Sequence, residues 1–141
     1  MSHLLPGPVT LVLDRKTTLP AELNPLNQES IGIRIPDNEF MIILAQMLDE
    51  PIALTSANIS NEPSSLDITE FKSLWGDLDM VIDGGRISDS ELSKAGSTVI
   101  DLTKPGQFCI IRKGSEYGRV VHKLEVDCKL TNKTEINNNN L

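Results

Sequence analysis

The sequence predicts one α/β or α+β domain, and three observations carry that expectation. Short runs rich in Val, Ile and Leu recur between Gly, Pro and Asp, which reads as strands closed by turns. Two stretches instead carry apolar residues at helical spacing behind capping residues. With 141 residues and 39% apolar side chains, the chain is long enough for one core and too short for two ordinary domains.

Taken in order, "VTLVL" (9–13) is a strand entered through "PGP", where proline and glycine impose a turn. "IGIRI" (31–35) repeats the pattern and is closed by Pro36 and Asp37. "DNEFMIILAQMLDE" then places Phe40, Ile43, Leu44, Met47 and Leu48 on one helical face, with Asp37 as the expected N-cap and Pro51 as the stop. "IALTS" (52–56) is expected to return as a strand. In "LDITEFKSLW" (66–75), Asp67 and Glu70 have capping-box spacing, and Leu66, Phe71, Leu74 and Trp75 supply an apolar face, so a second helix is expected there, ended by Gly76. "MVIDGG" (80–85), "STVIDL" (97–102) and "QFCIIR" (107–112) read as three further strands. From Asp127 the tract "DCKLTNKTEINNNNL" is too polar to offset its ordering entropy, so residues 127–141 are expected to be a disordered tail behind a domain of residues 1–126.

Composition narrows the function classes. The formal charge of −7 provides no uniform basic field, so any polyanion must be held by a local patch. No run approaches the roughly 18 apolar residues of a membrane-spanning helix, and Pro6 and Pro8 interrupt the only early apolar stretch, so a soluble, intracellular protein is expected. Cys109 and Cys128 form no C-x-x-C, and His3 and His122 are isolated. Neither a metal cluster nor histidine chemistry is indicated. Asn58-Ile59-Ser60 and Asn132-Lys133-Thr134 match glycosylation sequons, but without a secretory signal they read as incidental.

Open α/β sheets bind ligands beyond the ends of their strands, where loops present side chains and free amides. "IGIRIP" ends in Arg34, "IALTSAN" in Thr55, Ser56 and Asn58, and "CIIRKG" in Arg112 with Lys113 behind it, while Ser97 and Thr98 open "STVIDL". Two guanidiniums among hydroxyls suit carboxylate and phosphate oxygens. Each piece also has a plain structural reading: a surface arginine, a Ser/Asn turn in "TSAN", and a positive-φ turn in "DGG".

The order of "LPGPVTLVL", "IGIRIPD", "LTSANIS", "IDGG", "GSTVID" and "IIRKG" over residues 4–115 resembles the YrdC domain family of threonylcarbamoyl-AMP synthases, and "LTSANIS…SSL…EF…LW" resembles its animal members. The resemblance implies a twisted, open, mostly mixed sheet with flanking helices around a concave site. It implies condensation of L-threonine, bicarbonate and ATP, with Mg²⁺, to threonylcarbamoyl-AMP and pyrophosphate, serving threonylcarbamoyladenosine formation in tRNA. Carried over by motif, Arg34, Ser56 and Ser97 correspond to threonine contacts, and Asn58, Arg112, Ser30 and Ser64 to nucleotide contacts; no acid or base is assigned. The family's opening segment, with a P-T-[DE]-T-x-Y-G-L-like stretch and a K-x-R motif, has no counterpart here, so the chain is expected to lack the N-terminal part of the domain. Further expectations from the resemblance are tRNA or double-stranded RNA contact, a downstream threonylcarbamoyl-transfer complex, and a cytoplasmic location with a mitochondrial one in addition. The alternative is an inactive fragment that binds nucleotide or RNA. Carbamoyl transfer in hydrogenase maturation is a third reading from the same fold, without its usual neighbouring modules in this chain.

Overall fold

The computed structural model describes residues 4–16, 19, 21–24 and 26–134. They form two compact units: residues 1–52 with 97–141, and residues 53–96.

The first unit is built on five strands: β1 (Val9–Asp14), β2 (Ser30–Ile33), β3 (Thr98–Asp101), β4 (Gln107–Arg112) and β5 (Thr131–Asn132), in the order β2-β1-β3-β4-β5. β1 pairs antiparallel with β2 and parallel with β3, β3 antiparallel with β4, and β4 parallel with β5. The sheet is mixed, as expected. The tight β3–β4 connection is set by Pro105-Gly106, where Gly106 takes φ 77° and Gln107 N–H reaches the Lys104 carbonyl. Alternation sorts the side chains. Val9 and Leu11 of β1, Ile100 of β3 and Phe108 of β4 are fully buried on one face.

That face is covered by α2 (Tyr117–His122), which runs on into a wide π-type turn at Lys123–Asp127 and supplies buried Val120 and Leu124. The chain then returns as β5. Residues 127–134 are therefore folded rather than a disordered tail: Lys133 N–H bonds to the Phe108 carbonyl, and the Thr134 hydroxyl accepts from Ile110 N–H at 2.9 Å. The polar composition hid this because the anchoring is backbone pairing along a strand edge, which needs few apolar side chains. The rest of the expected tail, 135–141, lies outside the described residues.

α1 (Glu39–Leu48) forms as the apolar spacing requires, capped one residue later than expected, with Asn38 Oδ1 accepting from Met41 N–H at 3.0 Å. It ends at Asp49, in the left-handed region at φ 53°, ahead of Pro51. None of its residues is buried, and Phe40, Ile43, Met47 and Leu48 are exposed.

In the second unit two expected strands do not form. Residues 52–56, which begin at the boundary with the first unit, and residues 80–85 carry no ladder, and Ile52, Leu54, Met80 and Ile82 are exposed. β-propensity specifies a pleated surface only where a partner strand completes the hydrogen bonds. The expected second helix is a 3-10 segment, Ile68–Asp77, broken at Phe71 (φ −117°, ψ 27°). Its start follows the sequence signal: Asp67 accepts from Thr69 N–H and its hydroxyl, and Glu70 reaches back to Leu66 N–H. The Thr69 side-chain and then backbone hydrogen bonds hold the Asp67 carboxyl below its usual range. Glu70 also pairs with Arg86 at 3.4 Å and Lys94 at 3.6 Å, tying the segment to its neighbours around buried Leu66.

Candidate functional site

The face of the sheet opposite the core is polar. Partners across a ladder share a face, so the pairs Val12–Gly32 and Asp14–Ser30 place Ser30, Gly32 and, one step beyond the strand, Arg34 on the side of Thr10. Thr10 interrupts an otherwise apolar "VTLVL" and turns its hydroxyl to Ser97, with Oγ1 to Oγ at 2.8 Å. Gly32 leaves the floor between Ser30 and Arg34 low, since a Cβ there would approach Thr10 Cγ2 to 3.4 Å and meet nothing else within 4 Å.

Arg112 reaches this face through a register irregularity. Ile100 pairs with Ile110, but Val99 pairs with Arg112, so Ile111 is an extra residue on β4. Such a bulge re-aims the side chain that follows it. Arg112 donates from Nε (3.2 Å) and Nη2 (2.9 Å) to the Ser97 carbonyl, and from Nη2 to Ser97 Oγ (3.0 Å). Ser97 follows Gly96, which takes φ 68°, and is only 4% exposed. On the other side of the strand, the Thr98 hydroxyl accepts from Gly114 N–H and steadies the loop after β4.

Burial first, and the Arg112 charge second, hold the Arg34 guanidinium below its ordinary pKa. Arg34 is exposed as a residue, so the repulsion from Arg112 is the part that an anion between the two guanidiniums would relieve. Lys113 is engaged nearby, its ammonium 5.1 Å from the Tyr117 ring centroid.

Arg34, Ser97 and Arg112, from three separated stretches, thus converge at one end of the face. Ser30 lies on the same face four residues back from Arg34, beside a depression of about 460 Å³ lined by Asp14, Glu29, Asp101 and Thr103. That acidic setting disfavours a phosphate at Ser30 and leaves it suited to a neutral hydroxyl or base edge. A second hollow, of about 420 Å³, involves Lys104, Cys109 and Lys133 and none of the expected residues.

Ser56, Asn58 and Ser64 belong to the second unit. Ser56 is exposed and Ser64 half-buried. Asn58 holds a turn: Nδ2 donates to the Ile59 and Glu62 carbonyls at 2.8 and 3.1 Å, with Asn61 in the left-handed region at φ 72°. Its Oδ1 is buried without a protein donor. Sequence reasoning missed Thr10; the signal available was a lone hydroxyl on the polar side of an alternating strand. Among the described residues, no group of three or more His, Cys, Asp or Glu is gathered as metal ligands, and no helix is long and apolar enough to cross a membrane.

An open mixed sheet with helices and a basic, hydroxyl-lined end defines an α/β protein whose polar face has the groups to meet an anion. The family model Sua5/YciO/YrdC, described as Telomere recombination, matches residues 1–114. The chain belongs to this family. It is 54% identical over 116 residues to threonylcarbamoyl-AMP synthase of Rattus norvegicus, and 53% identical to that of Homo sapiens, covering 81% of this chain and 41% of each relative. It therefore spans about two fifths of the length of these relatives. Among solved structures it is similar to P. abyssi Sua5 complexed with L-threonine, with a TM-score of 0.73 and 28% identity over 93% of this chain and 36% of the other.

Proposed function

We propose that this chain carries the amino-acid and nucleotide face of a threonylcarbamoyl-AMP synthase. The observation that carries the reading is the convergence of Arg34 and Arg112 on Ser97, which offers two guanidiniums and a hydroxyl to an anionic ligand. The likeness to a Sua5 complexed with L-threonine supports an amino-acid carboxylate as one such ligand. In the proposed reaction the threonine amine adds to bicarbonate with loss of water, and a carbamate oxygen attacks the α-phosphorus of ATP as the bond to pyrophosphate breaks. Arg34 orients the carboxylate by its fork, Ser97 contributes a hydrogen bond, and Arg112 neutralises phosphate charge, so that positioning and electrostatics supply the catalysis.

The described residues do not make a resident Mg²⁺ site, and the ion fits better as part of the Mg²⁺–ATP substrate, held by the triphosphate and its own waters. The adenylate product would be consumed by a transferase acting on tRNA. A second reading, nucleotide or RNA binding without turnover, is favoured by Asn58, whose amide hydrogens are both engaged in its own turn.

The test is ATP–pyrophosphate exchange with each substrate omitted in turn. Exchange that needs both threonine and bicarbonate is the expected result. Nucleotide binding without exchange would favour the second reading, and exchange indifferent to threonine would overturn the first.

A further inference from the structure

Thr10 is not among the residues that correspond to threonine or nucleotide contacts, yet its hydroxyl lies 2.8 Å from that of Ser97. A serine hydroxyl has one proton and two acceptor sites. Arg112 Nη2 fills one acceptor site at 3.0 Å, and a guanidinium can only donate. We infer that Thr10 is a positioning residue that donates its hydroxyl proton into the second acceptor site of Ser97, leaving Ser97 able only to donate toward the ligand.

With both lone pairs occupied, the Ser97 O–H has a fixed direction and a fixed role. It favours an acceptor such as a carboxylate oxygen and penalises a ligand that presents an N–H at that point, because two donors would then face each other. Ser97 is only 4% exposed, so water cannot readily replace Thr10 as the second donor. The Thr10 methyl has its own packing role against Gly32, which separates the hydroxyl's contribution from that of shape.

This inference rests on the reading of Ser97 as an amino-acid contact. The experiment compares binding of L-threonine and L-threoninamide to the wild type, Thr10→Val and Thr10→Ser by calorimetry, with thermal melting as a check on folding. Thr10→Val keeps the shape and removes the hydroxyl; Thr10→Ser keeps the hydroxyl. The expected result is that the wild-type preference for the carboxylate over the amide falls ~10-fold in Thr10→Val, the scale of one hydrogen bond, and is retained in Thr10→Ser. An unchanged preference in a folded Thr10→Val that still binds threonine overturns the inference and leaves the amino-acid reading standing. If the wild type binds no threonine, that reading fails, and the inference is judged on the unliganded protein. There, NMR should show the Thr10 hydroxyl proton exchanging slowly in the wild type and fast in Ser97→Ala; equal rates, or a slow Ser97 hydroxyl proton released in Thr10→Val, would overturn it.

Discussion

Arg112 and Ser97 are joined by three hydrogen bonds, two to the Ser97 carbonyl and one to its hydroxyl, all between 2.9 and 3.2 Å. The guanidinium is thereby locked before any ligand arrives. Arg112→Lys retains the charge but not the fork, and should cost about 1–3 kcal/mol of stability by leaving the Ser97 carbonyl short of donors. Chemical denaturation checks this; an unchanged midpoint would mean that the fork is not formed in solution.

Arg34 should behave in the opposite sense. A base held below its ordinary pKa is a charge the fold carries at a cost wherever it is protonated, relieved only at strongly alkaline pH. Arg34→Gln should therefore raise the melting temperature of the unliganded chain slightly, by roughly 1–3 °C, equally across about pH 5–9. It should also abolish the stabilisation given by added threonine. A fall in melting temperature would show that the two guanidiniums do not oppose each other.

Asn58 predicts a local effect. Asn58→Asp keeps an acceptor and removes both donors to Ile59 and Glu62, so hydrogen exchange should accelerate through residues 59–62 while the β1–β3 amides stay protected. Ile52, exposed and outside any ladder, is a poor core probe. Ile100→Ala, at a fully buried position, should instead cost about 2–5 kcal/mol.

The return strand rests on few groups. Thr134→Val leaves Ile110 N–H without its acceptor and should cost about 1–2 kcal/mol, with faster exchange at Ile110. No change would mean that water substitutes freely at this edge.

α1 exposes Phe40, Ile43, Met47 and Leu48 along one side. Apolar surface presented in this way promotes association. Met47→Glu, at an 80% exposed position, should lower the concentration-dependent light scattering of the chain while leaving its circular dichroism unchanged.

The parts legible in the sequence were those fixed by local pattern: "VTLVL", "STVIDL" and "QFCIIR" formed strands, and the helical spacing from Phe40 to Leu48 formed α1. What escaped reading depends on partners. "IALTS" and "MVIDGG" have strand composition but no ladder, and "KLTNKT" has loop composition but pairs with β4. The motif order picked out Arg34, Ser97 and Arg112, which the fold brings to one end of a face. It could not show that Asn58 would hold its own turn, because that bond is decided by backbone conformation around Asn61.

The extra residue at Ile111 gives the site a dependence on counting. Side chains along a strand alternate, so Arg112 reaches Ser97 only because β4 carries one residue more than β3 across that step. If the bulge were drawn out into regular pairing with no residue removed, Ile111 would take the place opposite Val99 and the guanidinium would turn toward the oily side of the sheet, with every amino acid unchanged. A transplant of this segment into another scaffold, or an alignment that slides a gap across it, must therefore respect odd and even before it respects chemistry.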